Sequence, residues 1–92
     1  MHVEHDSKTH RFVAQVPSGT AILAYAPAGP RLLELYSTFV PPPDRERGVA
    51  AALVEAALAY AREQGMRVIP TCPYVSRWIS EHPESADLVA GR

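Results

Sequence analysis

Two short stretches carry the residues able to do chemistry. The first follows Pro41, Pro42 and Pro43, contains Arg45, Arg47, Gly48 and Ala50, and opens an alanine-rich run. Arginine offers positive charge and forked donors that match phosphate oxygens. Gly48 carries no Cβ to hold an anion off the backbone, and Ala50 is small. The N–H groups at a helix start lack intrahelical partners, and the dipole there favours negative charge. The stretch suits a phosphorylated ligand. It also suits a capped surface helix with solvated arginines, and it is neither a Walker loop nor a G-x-G-x-x-G turn. The second stretch is Thr71-Cys72-Pro73-Tyr74. Cys72 stands between a strand end and a helix start, where a thiolate is stabilised and nucleophilic. The other reading of Cys72 is a half-buried small hydrophobe. The four histidines, His2, His5, His10 and His82, show no metal-ligand spacing, so no metal is expected.

The elements that must position these residues follow from periodicity. Residues 1–6 read as a weak edge strand. Residues 10–16 alternate, with Phe12, Ala14 and Val16 on one face, as in a half-buried strand. Residues 20–26 are apolar on both faces, which predicts a covered central strand, and Pro27, Gly29 and Pro30 predict a turn. Residues 31–40 alternate again, with Leu33, Leu35, Ser37 and Phe39 on one face and Leu32, Glu34, Tyr36, Thr38 and Val40 on the other. This strand extends an antiparallel meander, and the prolines end its pairing. Asp44 is placed to cap a helix running to about Gln64, with Gly65 as its stop. Val49, Leu53, Val54, Ala57, Leu58 and Ala61 give that helix a wide apolar stripe. Residues 67–71 form a further strand, parallel to its neighbour through the helical crossover. Pro73 opens a second helix over residues 74–81, with Val75, Trp78 and Ile79 facing the core, and residues 84–89 add one more helical turn. The order predicts an α+β fold: a mixed, mostly antiparallel sheet, a long helix after the third or fourth strand, a parallel strand, and a C-terminal helix.

Size and composition bound the function. A chain of 92 residues suits a single domain spanning 1–92 with one modest core. A net charge of −1 supplies no bulk basic field for nucleic acid. No apolar run approaches the roughly 20 residues needed to cross a bilayer, so no membrane is expected. The polar N-terminus lacks signal-peptide regions, which points to the cytoplasm. One cysteine excludes an internal disulfide and a cysteine-based zinc cluster.

Arg45-x-x-Gly48-x-Ala50, after an extended strand and at the start of a long helix, resembles the acetyl-CoA pyrophosphate loop of the GNAT superfamily of N-acetyltransferases. Together with Thr38-Phe39-Val40 and the run from Val68 to Val75, it resembles the short, single-domain GNAT-like proteins over about residues 10–88. The resemblance implies an acetyl-CoA-dependent acyltransferase acting on an unknown amine. The backbone amides at about Arg47, Gly48, Val49, Ala50 and Ala51 would hold the pyrophosphate, with Arg45 beside them. Thr38, Phe39 and Val40 would run along the pantetheine arm like an added strand, and an N–H there would polarise the thioester. The two parallel strands would splay to admit the arm.

The same resemblance places Cys72 near the thioester, as the nucleophile of a two-step route, and makes Tyr74 the proton donor for the leaving thiolate. Tyr74 also reads as a ring packed on its helix, Ser37 as an inward-facing hydroxyl, and Trp78 as core. Two positions depart from the family pattern: Glu46 stands where glycine is expected, and Ser37 where histidine often occurs. The short chain lacks the helical region that builds the acceptor wall in full-length relatives. The site is thus compatible with a homodimer, or with the alternative of a non-catalytic acyl-CoA-binding or protein-interaction module.

Overall fold

The computed structural model describes residues 1–91. Five strands form one sheet in sequence order: β1 (Glu4–Asp6), β2 (Arg11–Val16), β3 (Gly19–Gly29), β4 (Leu32–Phe39) and β5 (Arg67–Pro70). The first four are antiparallel neighbours, and β5 lies parallel to β4. Helix α1 (Val49–Glu63) makes the crossover between β4 and β5, and α2 (Pro73–Ser80) follows β5. Short 3-10 segments cover Pro42–Asp44 and Pro83–Leu88. The fold is α+β, with the long helix after the fourth strand.

The core forms where α1 lies across one face of the sheet. Leu53, Val54, Ala57, Leu58 and Ala61 of α1 are buried in one cluster with Phe12, Ala14, Ala21, Leu23, Leu35 and Val68. Burying a leucine or phenylalanine stabilises the fold by about 1.5–3 kcal/mol, and the alanines let helix and sheet approach closely. Val75 and Ile79 of α2 join the same cluster.

Four expectations need correction. The turn at Pro27 does not form: β3 runs on to Gly29 and the hairpin turns at Pro30 and Arg31. β2 pairing ends near Ala24, so Pro27 sits where β3 has a neighbour on one side only and its missing N–H does no harm. β3 is also not covered on both faces, because Ile22, Ala24 and Ala26 stay half-exposed while Ala21, Leu23 and Tyr25 are buried.

The third correction concerns β4. Ala24 pairs with Ser37 and Tyr25 with Leu35, so Tyr36 is an extra residue, a β-bulge. The bulge reverses the alternation beyond it. Leu33 and Leu35 share the core face with Thr38 and Val40, while Ser37 and Phe39 turn outward and are exposed. The fourth concerns α1, which starts at Val49 with Gly48, not Asp44, as its N-cap. Asp44 instead ends the 3-10 turn, its carboxylate taken up by other partners.

Candidate functional site

The site is built where β4 and β5 part. Their pairing ends at Leu35 opposite Pro70. β4 continues to Phe39, whereas the chain after β5 turns into α2. One hydrogen bond fixes that corner: the Cys72 N–H donates to the Leu35 carbonyl at 2.9 Å. Beyond it the bulge turns Thr38 inward, so that its Oγ1 lies 3.4 Å from Cys72 Sγ. Neither contact follows from the strict alternation of the sequence; the extra residue at Tyr36 creates the second.

The loop between β4 and α1 forms the other wall. Arg45 donates its Nε–H to the Val40 carbonyl at 2.8 Å and lies 5.8 Å from the Phe39 ring centroid, so it braces the strand end. Gly48 takes a left-handed conformation, φ 75°. A Cβ there would meet nothing within 4 Å, so glycine serves the backbone turn and leaves open space above the helix start. The first helical hydrogen bond runs from the Ala52 N–H to the Gly48 carbonyl, 3.1 Å. The N–H groups of Val49, Ala50 and Ala51 therefore lie outside the helical ladder, as an anion site requires.

A hollow of about 240 Å³ between these walls is lined by Thr38, Phe39, Val40, Arg45, Ala50 and Tyr74. Cys72 is buried beside it, at Thr38. Arg47 and Gly48 instead line a separate hollow with Ala52 and Glu55, and Arg47 Nε lies 3.5 Å from the Asp44 carboxylate. The Val49 side chain is in the core and Ala51 is half-buried, so these two offer the site their backbone. Glu46 is exposed.

Electrostatics separate the two candidate reactive groups. Burial pushes the Cys72 thiol up, but the Thr38 hydroxyl and the amides of Val75, Tyr74 and Thr38 outweigh it and hold the thiol below its ordinary value. Cys72 is the N-cap residue of α2, so the Tyr74 and Val75 amides belong to a helix N-terminus while the Thr38 groups come from β4, although no full capping bond closes. Burial raises Tyr74 above the usual phenol range; Arg77 opposes the shift, and Glu81 and Glu55 add to it. Tyr74 is therefore protonated at neutral pH, as a proton donor must be.

Ser37 is exposed, contrary to the inward-facing hydroxyl expected, because the bulge rotates it outward. Trp78 is half-buried and stacks on His82 with ring centroids 3.7 Å apart. Sequence reasoning passed over Glu34, whose carboxylate accepts a 2.6 Å hydrogen bond from the Thr71 hydroxyl beside Cys72. The one available signal was a lone carboxylate in an otherwise apolar strand half. It also gave Asp44 the wrong partners. Among the described residues, no three of His, Cys, Asp or Glu come together to hold a metal ion, and no helix is long and apolar enough to cross a membrane.

Residues 11–88 match the family model described as GCN5-related N-acetyl-transferase. The chicken (Gallus gallus) Protein NATD1 is 35% identical over 83 residues, covering 88% of this chain and 76% of that protein. The human (Homo sapiens) Protein NATD1 is 34% identical, covering 88% of this chain and 74% of its own length. Zebrafish (Danio rerio) Protein NATD1 is 31% identical, covering 90% and 77%. The NMR solution structure of a GCN5-like protein from Staphylococcus aureus superposes with a TM-score of 0.77 at 17% identity, covering 99% of this chain and 89% of that one.

Proposed function

Because this chain belongs to the GCN5-related N-acetyltransferase family, we propose that it binds acetyl-CoA and transfers the acetyl group to an amine, directly or through Cys72. The observation that carries the proposal is the hollow that joins the β4 end, Arg45, Ala50 at the start of α1 and Tyr74, with Cys72 buried beside it at Thr38. The residues present fit the cosubstrate. Open space lies above Gly48, and three amides stand outside the helical ladder. The β4 end beyond Leu35 has no β5 partner.

In this reading the Val49, Ala50 and Ala51 amides hold the diphosphate. The backbone of Thr38, Phe39 and Val40 pairs with the pantetheine amides and polarises the thioester carbonyl. For direct transfer, the neutral amine forms the new C–N bond, the C–S bond to CoA breaks, Tyr74 gives its proton to the leaving sulfur, and the proton shed by the acylated nitrogen returns to the Tyr74 phenolate. In the two-step route, Cys72 Sγ first bonds to the acyl carbon as CoA leaves and takes up a proton. The amine then displaces Cys72, which recovers a thiol proton from the ammonium formed. The whole chain, residues 1–92, acts in this reading as one acetyltransferase domain.

Calorimetric titration with acetyl-CoA tests the proposal. Saturable binding to one site per chain is expected, and no binding at millimolar acetyl-CoA would overturn it. Release of free CoA with a panel of amines, polyamines and peptides separates an enzyme from a binding module. Intact-mass measurement after acetyl-CoA exposure decides the route: an acetyl group gained by the wild type and not by Cys72→Ala supports the two-step path.

A further inference from the structure

Asp44 is a buried carboxylate that the reaction does not use, with 3% of its surface exposed. An ionised side chain leaves water only where hydrogen bonds replace its hydration. Its replacements come from far along the chain. Ser18, in the turn between β2 and β3, donates both its backbone N–H, at 3.1 Å, and its hydroxyl to Asp44 Oδ2. The other carboxylate oxygen faces Arg47. Gly19, the residue after that turn, passes close to the Pro41 ring, which an added Cβ would reach at 3.5 Å. The β2–β3 turn therefore holds the segment between β4 and α1 at the Asp44 end of its 3-10 turn, with Gly19 close by at the Pro41 end.

We propose that Ser18 and Asp44 form a clamp that holds the anion-binding loop in its binding shape, which makes Ser18 a positioning residue for the cosubstrate. The proposal rests on the acetyl-CoA reading of the loop. The charges of Asp44, Arg45, Glu46 and Arg47 sum to zero. The loop thus attracts a diphosphate less by net charge than by the directed amides after Gly48, and those amides converge only if the backbone before them is fixed. Arg45 ties the loop to the end of β4 through the Val40 carbonyl, and Asp44 ties it to the neighbouring β2–β3 turn at the same end of the sheet. A loop that holds its binding conformation only part of the time loses apparent affinity by that fraction.

The test combines acetyl-CoA calorimetry with amide hydrogen exchange on the wild type, Ser18→Ala and Ser18→Thr. Ser18 is exposed on a turn, and alanine keeps the backbone N–H bond, so the variant folds. Ser18→Ala is expected to raise the acetyl-CoA Kd about five-fold and to speed exchange in residues 45–49, with exchange in β4 and β5 unchanged. Ser18→Thr, which restores the hydroxyl, should return both to wild-type values. Wild-type binding with unaltered Ser18→Ala affinity would overturn the clamp alone. Failure of the wild type to bind acetyl-CoA would overturn the cosubstrate reading itself.

Discussion

At the scale of single residues, Cys72 and Tyr74 are shifted in opposite directions by their surroundings, and the proposed mechanism makes the first the attacking group and the second the proton donor. Cys72 is held below its ordinary value by the Thr38 hydroxyl and the α2 amides, against its own burial. Tyr74 is held above its ordinary value, chiefly by burial. These opposite directions suit the two roles the proposed mechanism gives them. Tyr74→Phe removes the proton and keeps the ring, so the acetyl-transfer rate should fall about 100-fold with acetyl-CoA affinity unchanged. Steady-state kinetics beside calorimetry checks this, and a rate within two-fold of wild type would remove Tyr74 from the mechanism. Both residues were legible in the sequence as reactive types at a strand–helix corner. Their contacts were not, because Thr38 reaches Cys72 only across the sheet.

At the scale of elements, two backbone irregularities shape the cleft. The bulge at Tyr36 turns Thr38 and Val40 toward the core and Ser37 outward. The left-handed Gly48 precedes an α1 that starts only at Val49, with its first three amides outside the helical ladder. Gly48→Ala would meet no steric neighbour, so its cost is the conformation alone, about 1 kcal/mol of stability. Urea melts should show that loss, with a smaller one for Gly48→Asn, since asparagine tolerates the left-handed region. A neutral alanine substitution would mean that the loop readily adopts another backbone path. The sequence named Gly48 as special for a different reason, clearance for a ligand. The requirement for positive φ appears only once the helix start is known.

At the scale of the whole molecule, an aromatic cluster ties the edge strand β1 to the core. The His5 ring stacks on Phe12 at 4.3 Å, meets Tyr60 of α1 edge-on at 4.4 Å, and hydrogen-bonds the Tyr25 hydroxyl. Burial lowers the His5 pKa from its ordinary 6.5; Asp6 opposes the shift and His10 adds to it. The folded state thus binds fewer protons at His5 than the unfolded chain does. The stabilisation is complete above 6.5 and is lost as pH falls from there through the lower folded value. The melting temperature should fall between about pH 7 and pH 5, before the carboxylates titrate. His5→Phe keeps the stacking and should flatten that part of the profile; an equally steep profile would assign the effect elsewhere.

By itself the sequence determined the element order, the parallel crossover, the apolar stripe of α1 and the two stretches that could do chemistry. These depend on local periodicity, proline and glycine placement, and residue type, all of which act over a few positions. The tertiary structure alone decided which way β4 faces past Tyr36, where α1 begins, and which side chains meet Cys72 and Asp44. A bulge is set by pairing with β3 and leaves no mark in the alternation of β4. Asp44 looks like a helix cap until Ser18, 26 residues earlier, takes its carboxylate. Those decisions belong to contacts between distant segments, where the energy of a buried hydrogen bond outweighs a local preference.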